Sequence, residues 1–316
     1  MKLSNKSLQK LYFGALTLTE EDGYLYADRG AKNQYEYLTE TYKENPFCGI
    51  LMQGSSIFIK FKTDATRVSF KYNIEFCLNT ACSFDVFVNG IPYIFTDMVN
   101  LNNSGDYEIT MQSGQKIIEI FLPLDARMGI KDFTIEGKWR SIKKGKTKVL
   151  WYGDSITEGY GAYHSSLIYP TQVIRELNYN SINQGVGGYY HDKKFCIRLP
   201  EFIPDKIIIA LGTNNIGRAN NFKFIEDFYE KLIHVFPNRK ILTITPLWRG
   251  DIVDQQLLSQ TRQFINQTAS KYGDVIDGLT LIPHLDAYFM DKLHPNALGM
   301  TVLANNLIKQ IKKLKF

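Results

Sequence analysis

From about residue 54 to residue 137, apolar and polar positions alternate with a period of two in short runs, the pattern of strands with one face buried. The runs lie at 56–61, 67–74, 83–88, 107–111, 116–122 and 131–135. Asn89-Gly90 separates two apolar runs and suits a type I′ hairpin, in which both central residues need φ > 0; Ser113-Gly114 offers a second tight turn. Several short strands at this spacing predict an antiparallel sandwich.

After a basic stretch at 139–148 the period changes. Apolar runs at 148–152, 181–183, 206–211, 240–245 and 275–276 alternate with longer segments. In one of these, 222–236, Phe224, Ile225, Phe228, Leu232 and Val235 recur at helical spacing, and a similar stripe at 296–312 closes the chain. Continuous apolar strands alternating with amphipathic helices predict a parallel sheet covered on both faces, a flavodoxin-like doubly wound α/β fold over 147–316. The 316 residues therefore divide into an all-β sandwich at 1–140 and an α/β domain at 147–316.

Composition narrows the function classes. With 44% hydrophobic and 22% charged residues the chain has ample material for packed cores. Much of the net charge of +5 sits in two runs, 140–148 and 309–315, which read as solvated segments; no nucleic-acid-binding motif accompanies them, so no nucleic-acid partner is expected. Cys48, Cys77, Cys82 and Cys196 lack CxxC spacing and are expected to be buried thiols, neither zinc ligands nor a redox pair. The N-terminus has no apolar run of signal-peptide length and no run is long enough to span a bilayer, so a cytoplasmic protein is expected.

In an open parallel sheet, ligands bind where loops leave the carboxyl ends of strands. Four such loops carry chemistry: Gly153-Asp154-Ser155-Ile156-Thr157-Glu158-Gly159, Asn183-Gln184-Gly185-Val186-Gly187-Gly188, Gly212-Thr213-Asn214-Asn215, and Asp291-Lys292-Leu293-His294-Pro295. Acyl transfer needs a nucleophile, a base, a group to orient the base, and donors for an oxyanion. Ser155, between a strand and a helix, is the candidate nucleophile and His294 the candidate base. Asp291 precedes His294 by three residues, so one turn of chain presents both side chains together; Asp286 is the second candidate for the orienting carboxylate.

These four segments, in this order, resemble the sequence blocks of SGNH (GDSL-like) hydrolases over about 147–316, with GDSIT as the opening block. The resemblance implies a carboxylic ester hydrolase of the SGNH fold, with Ser155, Asp291 and His294 as its catalytic triad. It further implies an oxyanion hole formed by the Ser155 and Gly188 backbone N–H groups and the Asn214 side chain. The third block usually ends in Asp, whereas this chain has Asn215, which the resemblance places behind the reacting groups, as it does Asp154. The strand-rich part resembles the jelly-roll domain that accompanies this fold in family 2 carbohydrate esterases, which implies O-acetyl esters of sugars as substrates.

Other chemistries fail on particular residues. The serine lies in Gly153-x-Ser155-x-Thr157, not GxSxG; Tyr190 stands where a dinucleotide fingerprint needs Gly or Ala; and no GxxxxGK[ST] is present. No metal-ligand spacing links His164 and His191, which are read as substrate-side or surface histidines, so no metal or other cofactor is expected. Trp151, Tyr160, Tyr189, Tyr190 and Trp248 are candidates for stacking on a sugar, with an ordinary core role an equally good reading in a chain of 13% aromatics, and Arg249 is a candidate for lining the site. A histidine base acts when neutral, so activity is expected to rise through neutral pH. A lysophospholipase or thioesterase and a non-catalytic carbohydrate-binding protein remain open alternatives, and the oligomeric state is not legible.

Overall fold

The computed structural model describes residues 1–41, 50–79, 82–199, 201–252 and 254–316, which form two units. In the first, α1 (Asn5–Gln9) leads into β1 (Tyr12–Phe13), β2 (Thr17–Glu21) and β3 (Tyr24–Asp28). After α2 (Lys32–Thr41), which belongs to the second unit, come β4 (Phe58–Thr63), β5 (Arg67–Cys77), β6 (Ser83–Val88), β7 (Ile91–Asp97), β8 (Ser104–Thr110), β9 (Lys116–Phe121), β10 (Ala126–Ile135) and β11 (Trp139–Ser141). They build two antiparallel sheets, β1-β4-β9-β6-β7 with β11 on β4, and β2-β3-β10-β5-β8. Period-two patterning explains their packing. In β5 the alternate residues Val68, Phe70, Tyr72 and Ile74 are buried, and Phe70 and Phe133 of one sheet meet Phe84 and Phe61 of the other at ring distances of 5.7 and 5.9 Å.

Differences from the sequence expectation have local causes. The strand expected at 56–61 starts at Phe58, because Ser56 has φ +60° and Ile57 N–H turns back to Gly54 O. The stretch expected to be wholly solvated linker contributes Trp139–Ser141 as an edge strand on β4. Cys82 and Cys196 are buried thiols, Cys77 is only half-buried, and Cys48 lies outside the described residues.

The second unit contains β12 (Lys148–Gly153), α3 (Ser155–Glu158), α4 (Tyr169–Leu177), β13 (Asn180–Gly185), β14 (Lys206–Ala210), α5 (Asn221–Val235), β15 (Lys240–Ile244), α6 (Gln255–Ala269), β16 (Asp274–Ile276) and α7 (Ala297–Leu314). Its strands are all parallel in the order β13-β12-β14-β15-β16. Val149–Tyr152 and Ile207–Ile209 are buried throughout, as a sheet covered on both faces requires. Helix α4 packs with α7, and α5 with α6. Helix α2 joins this unit through Gln34, whose side-chain amide exchanges two hydrogen bonds with that of Gln184 (2.9 and 3.0 Å). Among the described residues, no helix is long and apolar enough to cross a membrane.

Candidate active site

In such a sheet the winding reverses between the first and third strands in sequence, here β12 and β14, and a cleft opens at their carboxyl ends. Gly153 is in register with both Gly185 and Ala210, so the loops leaving β12, β13 and β14 begin side by side. Asp154 caps α3: its Oδ1 accepts the Ile156 N–H at 3.0 Å, and Ser155 follows as the first helical residue. A backbone N–H in that position has no acceptor within its own helix. The helix lies so close to β13 that a Cβ at Gly185 would stand 2.3 Å from Glu158 N. Asn183 fastens the contact, donating to Thr157 O (2.8 Å) and accepting from Gly185 N–H (2.9 Å). No role for Asn183 was assigned from sequence, though it opens the glycine-rich block.

Ser155 Oγ lies 2.8 Å from His294 Nε2, and His294 Nδ1 lies 2.7 Å from Asp291 Oδ2. The other carboxylate oxygen of Asp291 accepts the backbone N–H groups of His294 (2.7 Å) and Leu293 (3.1 Å), closing the loop on itself. Burial pushes the Asp291 carboxyl up, but the hydrogen bonds from His294 and Leu293 outweigh it and hold the group below its ordinary value. The ring of Tyr160 meets that of His294 edge-on at 4.7 Å. Asp286, the second candidate, instead lies 4.0 Å from Lys292 and is largely exposed.

Gly188 is exposed with φ +69°, a conformation that glycine adopts without strain. Asn214 sits in the 3-10 turn Thr213–Asn215, and its Nδ2 donates to Tyr189 O at 2.9 Å, which leaves the second hydrogen of the same amide to point elsewhere. Asn215 is buried, and its Oδ1 accepts from both the backbone N–H (3.2 Å) and the ring Nδ1 (2.8 Å) of His191. His191 is fully buried against Phe228 and Tyr229, which corrects its reading as a surface or substrate-side residue. Burial pushes its pKa down to about 4, the bond to Asn215 offsetting part of the effect. His164 belongs to the first unit, where its Nδ1 lies 3.0 Å from Asp85.

Next to Ser155, burial pushes the Asp154 carboxyl up to about 7, with the Ile156 N–H and Arg249 pulling the other way. Two of the aromatic candidates cannot stack on a ligand. Trp151 is central in β12 and donates to Ser181 Oγ at 2.8 Å, and Tyr189 is likewise buried. Tyr160 is exposed, Tyr190 carries the Arg218 guanidinium 4.0 Å over its ring, and Trp248 stacks on His284. Arg249 donates to Thr213 O (3.1 Å) and pairs with Asp251, while Gly250 N–H donates to Lys292 O (2.9 Å). The 249–250 turn is thereby bonded to the loop of Asn214 and to the loop of His294. Among the described residues, no group of three or more His, Cys, Asp or Glu is arranged to hold a metal ion.

The sheet of this strand order, with these loops at its carboxyl edge, has the SGNH hydrolase fold, and the family match below supports the class of carboxylic ester hydrolases. Residues 151–302 match the model of the GDSL-like Lipase/Acylhydrolase family. The chain is similar in structure to a salicylyl-acyltransferase, SsfX3, from a tetracycline biosynthetic pathway (19% identity, TM-score 0.74, covering 96% of this chain and 94% of that one). It is also similar to a family two carbohydrate esterase from Cellvibrio japonicus (14%, 0.71, 99% and 97%) and to an acetyl xylan esterase, Est2A, from Butyrivibrio proteoclasticus (14%, 0.62, 81% and 88%). At these identities the likeness is one of fold. No curated protein matches the chain in sequence.

Proposed function

We propose that the protein is a serine esterase that removes short acyl groups, O-acetyl above all, from carbohydrate. Ser155 is its nucleophile, His294 its base and Asp291 the carboxylate that orients the base. The observation that carries this reading is the pair of contacts linking Ser155 Oγ, His294 and Asp291 Oδ2 at 2.8 and 2.7 Å. Ser155 Oγ attacks the ester carbonyl as its proton passes to His294 Nε2. The tetrahedral oxyanion is met by the N–H groups of Ser155 and Gly188 and by the free hydrogen of the Asn214 amide. Collapse expels the alcohol, which takes the proton from His294, and leaves an acyl-enzyme. Water then attacks, giving one proton to His294, and the second tetrahedral intermediate collapses to the free acid as Ser155 Oγ takes that proton back from His294.

The sugar assignment draws support from the carbohydrate esterases of like fold and from Tyr160, an exposed ring beside His294 that could pack on a sugar face. Trp248 and Arg249 are assigned to the rim of the same cleft. The residues ahead of the catalytic domain (147–316) are assigned as a jelly roll (1–140), a reading supported by strands that pass repeatedly between two antiparallel sheets. The test is hydrolysis of p-nitrophenyl acetate, butyrate and octanoate by the wild type and Ser155→Ala. Acetate is the expected best substrate and the substitution is expected to abolish its turnover. A preference for octanoate would point to a lipid or thioester hydrolase, and equal rates in both proteins would leave a non-catalytic binding protein.

A further inference from the structure

We infer that Asn215 and His191 form an uncharged clamp that positions the two oxyanion-binding loops against each other, an inference that rests on the serine-esterase reading above. Gly188 and His191 belong to one loop, Asn214 and Asn215 to the other. Three bonds join the loops: Asn214 Nδ2 to Tyr189 O at 2.9 Å, and the His191 backbone N–H and ring Nδ1 to Asn215 Oδ1 at 3.2 and 2.8 Å. Two of the three end on the Asn215 side chain, which is adjacent in sequence to one oxyanion donor, while their partner is three residues from the other.

The protonation states follow from the geometry. A backbone N–H can only donate, so the Asn215 atom facing it is the oxygen, and an amide oxygen can only accept; the ring Nδ1 must therefore carry a hydrogen. The ring is then neutral as long as Nε2 carries none. Nε2 is buried without a partner, as is Asn215 Nδ2. Leaving a donor and an acceptor unpaired in a dry interior is unfavourable, and two apolar side chains would pack there without that penalty. Such a breach of local packing rules points to a role in the site. An Asp at 215 would accept the same two bonds, but its charge would draw a second proton onto the ring and put a buried ion pair behind the oxyanion donors.

Kinetics of Asn215→Leu, Asn215→Asp and Ser155→Ala on p-nitrophenyl acetate test the clamp, with melting curves to establish folding and long-range 1H–15N spectra of the His191 ring. Asn215→Leu is expected to lower kcat by about tenfold to a hundredfold, with KM changed by less than about twofold, because the misplaced donors meet charge only in the transition state. Asn215→Asp should restore kcat to within about threefold of wild type while the ring changes from a neutral Nδ1–H form to imidazolium. A folded Asn215→Leu with wild-type kcat would overturn the inference, as would an Asn215→Asp as impaired as the Leu variant. If Asn215→Leu does not fold, His191→Phe keeps the backbone bond and the ring packing but lacks the Nδ1 donor. It should lower kcat severalfold at constant KM, and an unchanged kcat would overturn the clamp. Ser155→Ala retaining full activity would instead sink the underlying reading, and the clamp with it.

Discussion

Replacing Asp291 by Asn should be more damaging than replacing it by Ala, and the reason lies in the loop's own hydrogen bonds. Asp291 Oδ1 accepts two backbone N–H groups, from Leu293 and His294, and Oδ2 faces the His294 ring. In Asp291→Asn the two backbone donors hold the amide oxygen where Oδ1 was, so the –NH2 group must face His294 Nδ1 and donate to it. The ring proton is then forced onto Nε2, which donates to Ser155 Oγ and can no longer take its proton. Loss of the correct tautomer in a serine triad is worth about 10⁴-fold in kcat, roughly 5 kcal/mol of barrier. Because the Asp291 side chain is 42% exposed, the loss expected here is about 10³ to 10⁴-fold. Asp291→Ala leaves the ring free to take either tautomer with water as partner and should lose about tenfold less. Stopped-flow or steady-state hydrolysis of p-nitrophenyl acetate reads kcat and KM for both. An Asn variant as active as the Ala variant, or one retaining a tenth of wild-type kcat, would refute the reasoning.

Two further predictions concern pH. The Asp154 carboxyl is raised to about 7 by burial, so its folded value lies above its unfolded one, and the stability associated with its proton is lost as pH rises toward 7. Asp154→Asn keeps the oxygen that caps Ile156 and should gain about 2 kcal/mol on wild type in urea unfolding between pH 5 and pH 8; a difference that does not vary with pH would contradict this. His164 is raised by its hydrogen bond to Asp85 against the opposing effect of burial, so its contribution is present below the unfolded histidine value and fades as pH rises through the folded one. Unfolding curves of His164→Gln should therefore converge on those of wild type at high pH, and a gap that widens above pH 8 would reverse the assigned sign.

The parts of the fold legible in the sequence were those governed by a single period. Ser83–Val88 was bounded correctly because alternation ends at the Asn89-Gly90 turn, where both residues adopt positive φ. The β2–β3 hairpin carries the same signal at Asp22-Gly23, also with positive φ, but four of the five β2 residues are polar and three are exposed, so no apolar alternation marks the strand. Strand β10 starts earlier than its alternation suggested, because register shifts along its pairing with β5 interrupt the period. At the site, the contacts among Ser155, His294 and Asp291 were legible because Ser155 stands in a block on a strand end and Asp291 and His294 share one short loop. His191 was misread because its burial comes from Phe228 and Tyr229 on a distant helix, and nothing adjacent in sequence announces it. For Trp151, of the two roles open from sequence, the core one holds, because β12 is central in a sheet covered on both faces and every residue from Val149 to Tyr152 is buried.

The account rests most directly on Ser155, and the decisive measurement is kcat/KM for p-nitrophenyl acetate with folded Ser155→Ala against wild type. A loss of at least about 10³-fold is expected if the hydroxyl forms the acyl-enzyme. Retention of the wild-type rate would contradict the nucleophile, the relay through His294 to Asp291, and every role assigned around them.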